Sequence, residues 1–441
     1  MMETSVEMGS EEDAHNVARN EMALLNLQDL DETDLESMKG DTVGDTVYSA
    51  KWIIETLMSL SKIYDNPWTE TLESSLCMLW DMTAEKDVVD FLMDNDFLSI
   101  AEFTLDASME PRLTEIILGI IGNMCCQPAV LKAVSEANKL LSSIFGKLST
   151  DDPETLVQVV RLLQAAVWDV ERNADTKWLH HLRDCEYLGD AISFILQSST
   201  NDDLLIAALD LVQSISVVRT PDDNCLLTDL FKVDRLVPAL FESFAQLVPK
   251  RDDGHSRAIL KVIENWLTII SSVLQSEFRI FVLNDTNDEY SKRIVDVISR
   301  ILQPYENPEN LRPLDARVAL CIHECVETVF WFQRNKFHPD SRIVRTVVTI
   351  MHGLRLVIEE ESGMDRATDP DETIAELRKH LERYWLETLD VYSEHELLEV
   401  ILICDNDVKK CLVEVTKEYS KESRGPVDKL RGVESLVNSG N

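Results

Sequence analysis

Basic side chains are scarce in this chain: 42 Lys and Arg stand against 80 Asp and Glu, a formal charge of −38 with an isoelectric point near 4.5. A field of that sign repels phosphate backbones, and no basic cluster offsets it, so nucleic acid is not an expected partner. Thirteen Gly and thirteen Pro in 441 residues are too few for the turns of an all-β protein. Alternating strands of any length are missing as well, which leaves an all-α class. No apolar run approaches the ~18 residues of a membrane span. The N-terminus opens with Glu3, Glu7, Glu11, Glu12 and Asp13 and lacks the basic-then-apolar layout of a signal peptide. Nine cysteines, an odd number mostly in apolar helical context, fit a reducing compartment and not a disulfide framework. The expectation is an intracellular protein of the nucleus, the cytoplasm or both.

Catalytic signatures are also missing. The chain has no Gly-rich phosphate loop, no Gly-x-Ser-x-Gly elbow and no His-Glu-x-x-His. Cys321-Ile322-His323-Glu324-Cys325 puts two thiols on one helix face, but His323 projects elsewhere, short of the four convergent ligands of structural zinc. His180-His181 with Cys185 falls short in the same way. Asn284–Glu289 resembles a calcium loop without its Gly or its closing Glu, so a solvated turn is expected. No catalytic, cofactor or metal residue is therefore assigned.

What is present is a helical block that recurs. Ile117, Val159, Ala208 and Ile259 share one register, at spacings of 42, 49 and 51 residues. Leu118, Val160, Leu209 and Leu260 follow, then Ile120, Leu162, Leu211 and Val262. Ile121, Leu163, Val212 and Ile263 come next, and Met124, Ala166, Ile215 and Trp266 close the block. These offsets trace the wide buried stripe of an amphipathic helix. The position between the apolar pairs, Gly119, Arg161, Asp210 or Lys261, is read as facing outward. The spacing lies around the ~40–47 residues of HEAT and armadillo units, which bury their apolar faces only by stacking. The expected fold is an armadillo/HEAT-like α-solenoid over residues 44–420, with a disordered acidic arm at 1–43 and a flexible tail at 421–441. Residues 1–46 carry 13 acidic and 2 basic side chains, too charged to offset the entropy of ordering. Met22 to Leu30 form its one apolar cluster, readable as a docking helix, a leucine-spaced export signal or neither.

Ser49 caps an expected helix Lys51–Ile63; Thr69–Met82, Glu85–Met93 and Phe97–Ala107 follow, and Pro111 and Pro153 sit where proline starts a helix. Partner helices are expected at Val130–Leu148, Leu188–Gln197, Leu227–Leu247 and Tyr290–Leu302, and a fifth unit at Leu314–Phe332. Loops are expected at Asn284–Glu289, Pro304–Pro313 and Glu359–Thr373, and terminal helices at Glu372–Val391 and Glu394–Tyr419. Trp52, Trp80 and Trp266 are read as core. Trp80-Asp81 and Trp168-Asp169 close two helices alike. The paired Trp and Asn by which importin-α-type proteins hold basic peptides occur once, at Trp331 and Asn335.

Gly44-Asp45-Thr46-Val47-Tyr48-Ser49-Ala50-Lys51-Trp52 resembles the serum-amyloid-A-like family of armadillo-type proteins. Leu76-Cys77-Met78-Leu79-Trp80-Asp81-Met82 and Pro111-Arg112-Leu113 through Gly119, Ile121-Gly122-Asn123-Met124 and Cys125 extend that likeness. The resemblance implies a non-enzymatic helical-repeat protein linked with the nucleus and with promotion of cell proliferation. It transfers no catalytic or ligand residue. Within the matching stretch Tyr48, Asp81, Arg112 and Asn123 are polar where periodicity does not require it, so they are the candidate partner-binding residues. Asn123 has two readings, a clamp on a bound backbone or a tie to a neighbouring helix end. The expected function is a protein-interaction scaffold with protein partners, basic ones favoured by the charge. A transport adaptor for basic peptide signals and an enzyme with an unrecognised site are the alternatives.

Overall fold

Stacked helices carry the fold. The computed structural model describes residues 41–64, 68–107, 109–173, 175–220, 223–249, 255–283, 289–312, 314–335, 337, 340–363 and 372–419. All but the last three residues of the expected acidic arm lie outside that range, as do the expected tail and residues 284–288 of the calcium-like turn. Among the described residues there is no β-strand, only isolated bridges joining Thr42 to Ser49 and Arg219 to Cys225. The helices fall into two units, one ending at Glu186 and the other starting at Tyr187.

The first unit contains α1 (Ala50–Leu60), α2 (Glu70–Met82), α3 (Lys86–Asp94), α4 (Phe97–Ala107), α5 (Pro111–Met124), α6 (Pro128–Glu136), α7 (Asn138–Gly146), α8 (Pro153–Arg172) and α9 (Lys177–Asp184). Their starts follow local chemistry. Side-chain oxygens of Ser49, Thr69, Asp152 and Thr176 accept from the first-turn amides of α1, α2, α8 and α9, satisfying donors the helix leaves unpaired. Prolines 111, 128 and 153 stand at first-turn positions, where the missing N–H costs nothing. Helix α5 packs on α2 and on α8, and α4 packs on α1 and α7. With neighbours on two sides, α5 is buried from Leu113 through Ile121.

The second unit contains α10 (Leu188–Ser198), α11 (Asp202–Val217), α12 (Leu226–Leu230), α13 (Val233–Leu247), α14 (Arg257–Gln275), α15 (Arg279–Leu283), α16 (Glu289–Leu302), α17 (Ala316–Arg334), α18 (Ser341–Gly363), α19 (Glu372–Val391), α20 (Glu394–Ile403) and α21 (Asn406–Tyr419), with 3-10 turns at Gln303–Glu306 and Pro308–Leu311. Here α11 packs on α14, α14 on α17 and α17 on α19, while α10 lies against α13. Within each unit the all-α, armadillo/HEAT-like stacking expected from the sequence is what the helices form.

The repeat register is buried as read. Ile117, Ile121 and Met124 are fully buried, as are their equivalents Val159, Leu163 and Ala166 in α8 and Ala208, Val212 and Ile215 in α11. Ile259 is half-buried, in the first turn of α14, and the block is again closed at Ile263 and Trp266. Arg161 and Lys261 face solvent as expected, but Gly119 does not: it is buried beneath a side chain of α2.

Several expectations give way to detail. Val43 is buried and Thr42 is bridged to Ser49, so packed chain reaches back to Asp41, before Gly44. Val130–Leu148 is two helices parted at Ala137, and Leu227–Leu247 is parted at Phe231 and Lys232. Glu394–Tyr419 breaks at Cys404 and Asp405. Helix α18 was not foreseen, and it extends to Gly363 through the start of the expected acidic loop. Trp52 and Trp80 are half-buried, whereas Trp178, Trp266 and Trp385 are fully enclosed. Helix α14 is long and apolar enough to cross a membrane, with mean hydropathy 1.2 over its best window, against the expectation that no such run exists. Its apolar residues Leu260, Ile263, Trp266, Leu267 and Ile270 are instead buried in the second unit.

Ile121→Asp places an unpaired carboxylate inside the α2–α5–α8 stack. It is expected to destabilise the first unit by on the order of 4 kcal/mol. Chemical denaturation reads this directly, and an unshifted midpoint would show the register to be wrong.

Candidate functional site

Three segments of the first unit meet at the C-terminal ends of α2 and α5. The first is the loop 41–49. Gly44 takes φ +53, and a Cβ there would lie 2.1 Å from Asp87 Oδ2; only glycine lets the loop close onto the start of α3. The Asp45 amide then donates to Asp87 Oδ2 at 2.9 Å, and the Val43 amide to the Tyr48 carbonyl at 3.0 Å. This holds Tyr48 half-buried beside α2. Burial, followed by the negative charges of Glu85 and Asp81, raises its pKa.

The second segment is the end of α2. Trp80 lays its indole against α5 at Gly119, where a Cβ would come within 2.0 Å of Trp80 Cζ2. The absence of a side chain at 119 is therefore the seat of the ring. Trp80 stays half-buried, leaving part of the indole open. Next to it Asp81 is exposed on one side, and partial burial raises its pKa.

The third segment is the end of α5. Asn123 Nδ2 donates to the Trp80 carbonyl at 3.3 Å and to Thr83 Oγ1 at 3.2 Å, and Thr83 Oγ1 donates to the same carbonyl. That carbonyl also accepts from the Thr83 amide at 3.1 Å, so the Asn123 amide adds a bond from α5 to an already capped helix end. Of its two readings, the tie to a neighbouring helix end matches these bonds. Gly122 alongside has open space where a Cβ would stand.

The structure thus brings Tyr48, Asp81 and Asn123 together but not Arg112. Eleven residues separate Arg112 from Asn123 on α5, roughly 16 Å along the axis. Arg112 instead joins the opposite ends of the helices, donating to Glu73 Oε1 at 2.9 Å, Glu115 Oε1 at 2.7 Å and Cys77 Sγ at 3.4 Å. Two carboxylates, Glu115 first, hold its pKa above the usual value. Its role is to neutralise buried Glu115 and clamp α2 to α5.

Sequence reasoning missed Trp80 as a surface residue and Gly119 as its seat. The other motifs resolve into structure. Asn335 Nδ2 bonds back to the Trp331 carbonyl at 2.8 Å, which occupies the amide that a peptide clamp would use. Asp169 accepts from Thr176 Oγ1 and so steadies the start of α9. His180 pairs with Asp184 at 3.2 Å and His181 Nε2 meets the Ser135 carbonyl at 2.8 Å, so neither converges on Cys185. Cys321 and Cys325 are buried, while His323 turns to α19 and lies against His380 with 4.0 Å between ring centroids. Burial, then His323 and Arg383, push the His380 pKa down to about 4. A groove of about 710 Å³ opens beside this pair. A strongly shifted group next to a pocket is the property the enzyme alternative calls for.

No family model matches the chain. Among curated proteins, it is 32% identical to Protein saal1 of Danio rerio over 195 residues, 42% of this chain and 41% of that one. It is 32% identical to Protein SAAL1 of Homo sapiens over 190 residues, 40% of each. Protein SAAL1 of Mus musculus matches at 26% over 307 residues, 63% of each. The chain spans about two-fifths of the length of the first two relatives. The resemblance read from the sequence is borne out by them. Among solved structures, a designed armadillo repeat protein is 16% identical at a TM-score of 0.39, covering 62% of this chain and 99% of that one. A structure from work on a phosphorylation switch between cadherin and beta-catenin is 11% identical at 0.38, covering 94% and 98%.

Asn123→Ala removes two bonds to the end of α2 and is expected to lower stability by about 1–2 kcal/mol. Gly119→Ala is expected to cost about 1–3 kcal/mol by displacing the indole. Most of the second loss should vanish in a Trp80→Ala background, and a double-mutant cycle on denaturation midpoints measures it. Additive losses would mean that the ring is not seated on Gly119.

Proposed function

We propose that this relative of the SAAL1 proteins is a non-enzymatic protein-interaction scaffold whose first unit docks a basic protein segment around Trp80. One observation carries the reading: at the ends of α2 and α5 a partly exposed Trp80, its ring fixed on Gly119, adjoins the exposed Asp81, whose charge, with that of Glu85, acts on the Tyr48 phenol. An aromatic platform next to carboxylates suits a lysine or arginine side chain, because the ring face and the acids both attract a cation. Aromatic residues that keep a rigid pose lose little entropy on binding and are favoured as interface anchors. The charge of −38 would speed the encounter with a basic partner.

An intracellular setting, nuclear or cytoplasmic, accords with the free cysteines, and a role in promoting cell proliferation accords with the family likeness. A transport adaptor reading has less support, since the single Trp–Asn pair is closed on itself.

Calorimetric titration of the intact chain with Lys/Arg-rich peptides, and with the same peptides carrying Glu at those positions, tests the proposal. The basic set should bind and weaken with added salt. Trp80→Ala should cost about 2 kcal/mol of affinity, and Asp81→Asn a smaller amount, with melting temperatures of the two variants still cooperative and close to the parent for Asp81→Asn. Equal binding of the Glu-substituted peptides, or affinity unaffected by both substitutions, would refute it.

A further inference from the structure

In the second unit, three ligand-type side chains converge from two helices. His323 and Glu327 are one turn apart on α17 and so share a face. His380 meets them from α19, which packs on α17. Glu327 Oε1 is 3.5 Å from His380 Nε2, and one ligand atom from each of the three residues lies within 4.8 Å of the others. The imidazoles are tilted by 32° and do not form a flat stack.

The burial of His380 needs an explanation. Its side chain is only 7% exposed, yet Nε2 has no hydrogen-bond partner among the described residues. A buried polar atom without a partner is costly, so its retention points to a ligand at that place. Glu324 Oε1 stands 3.4 Å from His323 Nδ1, the kind of carboxylate that orients a metal-binding imidazole from behind. The neighbouring groove is lined by His323, Glu324, Thr373, Lys379, His380 and Arg383, among others, and gives access from solvent.

Two imidazoles and one carboxylate are a common donor set for zinc, with a further position left for water or another ligand. Arg383 is the competing group. Its Nη2 is 2.9 Å from Glu327 Oε1 and 3.4 Å from His380 Nδ1. Its side chain is 56% exposed, so it can move aside when a divalent cation takes over the carboxylate oxygen.

We propose that His323, Glu327 and His380 form a zinc site that has one coordination position open to the groove.

The test uses the intact chain stripped with a chelator, titrated with zinc alone and, in parallel, with cobalt(II) as the optical probe. One equivalent should bind per chain. Cobalt should give visible ligand-field absorption without a thiolate charge-transfer band, which separates this site from the nine free thiols. His323→Gln and Glu327→Gln, both at partly exposed positions, should each weaken binding at least ~100-fold, beyond what outer partners contribute. Circular dichroism should stay unchanged, and Cys321→Ser should bind as the parent does. Arg383→Ala should bind more tightly. No stoichiometric uptake, a thiolate band, undiminished binding in Glu327→Gln, or weaker binding in Arg383→Ala would each overturn the proposal.

Discussion

No helix in this chain can bury its apolar stripe alone, and that constraint organises each unit. Most helices keep one wet face, as the exposed Arg161 of α8 and Lys261 of α14 illustrate. Helix α5 shows the limit of enclosure: from Leu113 to Ile121 every residue is buried, including a glutamate. Burying Glu115 is tolerable because Arg112 donates to it from the preceding turn. Stacking thus decides which polar groups must be paired, and Arg112 and Asn123 are both answers to it. One secures the N-terminal ends of α2 and α5, the other the C-terminal ends.

Close approach of α2 and α5 then creates the candidate surface. Gly119 admits the indole of Trp80, which could not lie there over any larger residue. Gly44 admits the loop that brings Tyr48 to the same place. Both glycines act by the close approach they permit. The aromatic platform is a by-product of packing, held rigid by the same contacts that stabilise the unit.

The fold was legible because burial leaves a period in the sequence. Ile117, Ile121 and Met124, with their equivalents in α8 and α11, could be placed in the core without coordinates. Gly119 was misread for a physical reason: a residue with no side chain carries no polarity, so it cannot show which way it faces. Helix α18 was missed although Val344, Val347, Val348 and Met351 are regularly spaced and buried, since it lies outside the repeated block. Of the candidate site, Tyr48, Asp81 and Asn123 were legible as unexplained polar residues, but their convergence required the register of α2 against α5. His323 was noticed for its cysteine neighbours, which the helix turns away from it. Its partner His380 comes from another helix, and only tertiary packing could join the two.

The central claim is that a basic segment docks where α2 and α5 end in the first unit. Amide hydrogen exchange of the intact chain, with and without a saturating Lys/Arg-rich peptide, tests it most directly. The account predicts added protection around Met82–Glu85 and Met124–Gln127, with the second unit unaltered. Bound peptide that protects only the second unit, or that leaves the ends of α2 and α5 unchanged, would contradict it.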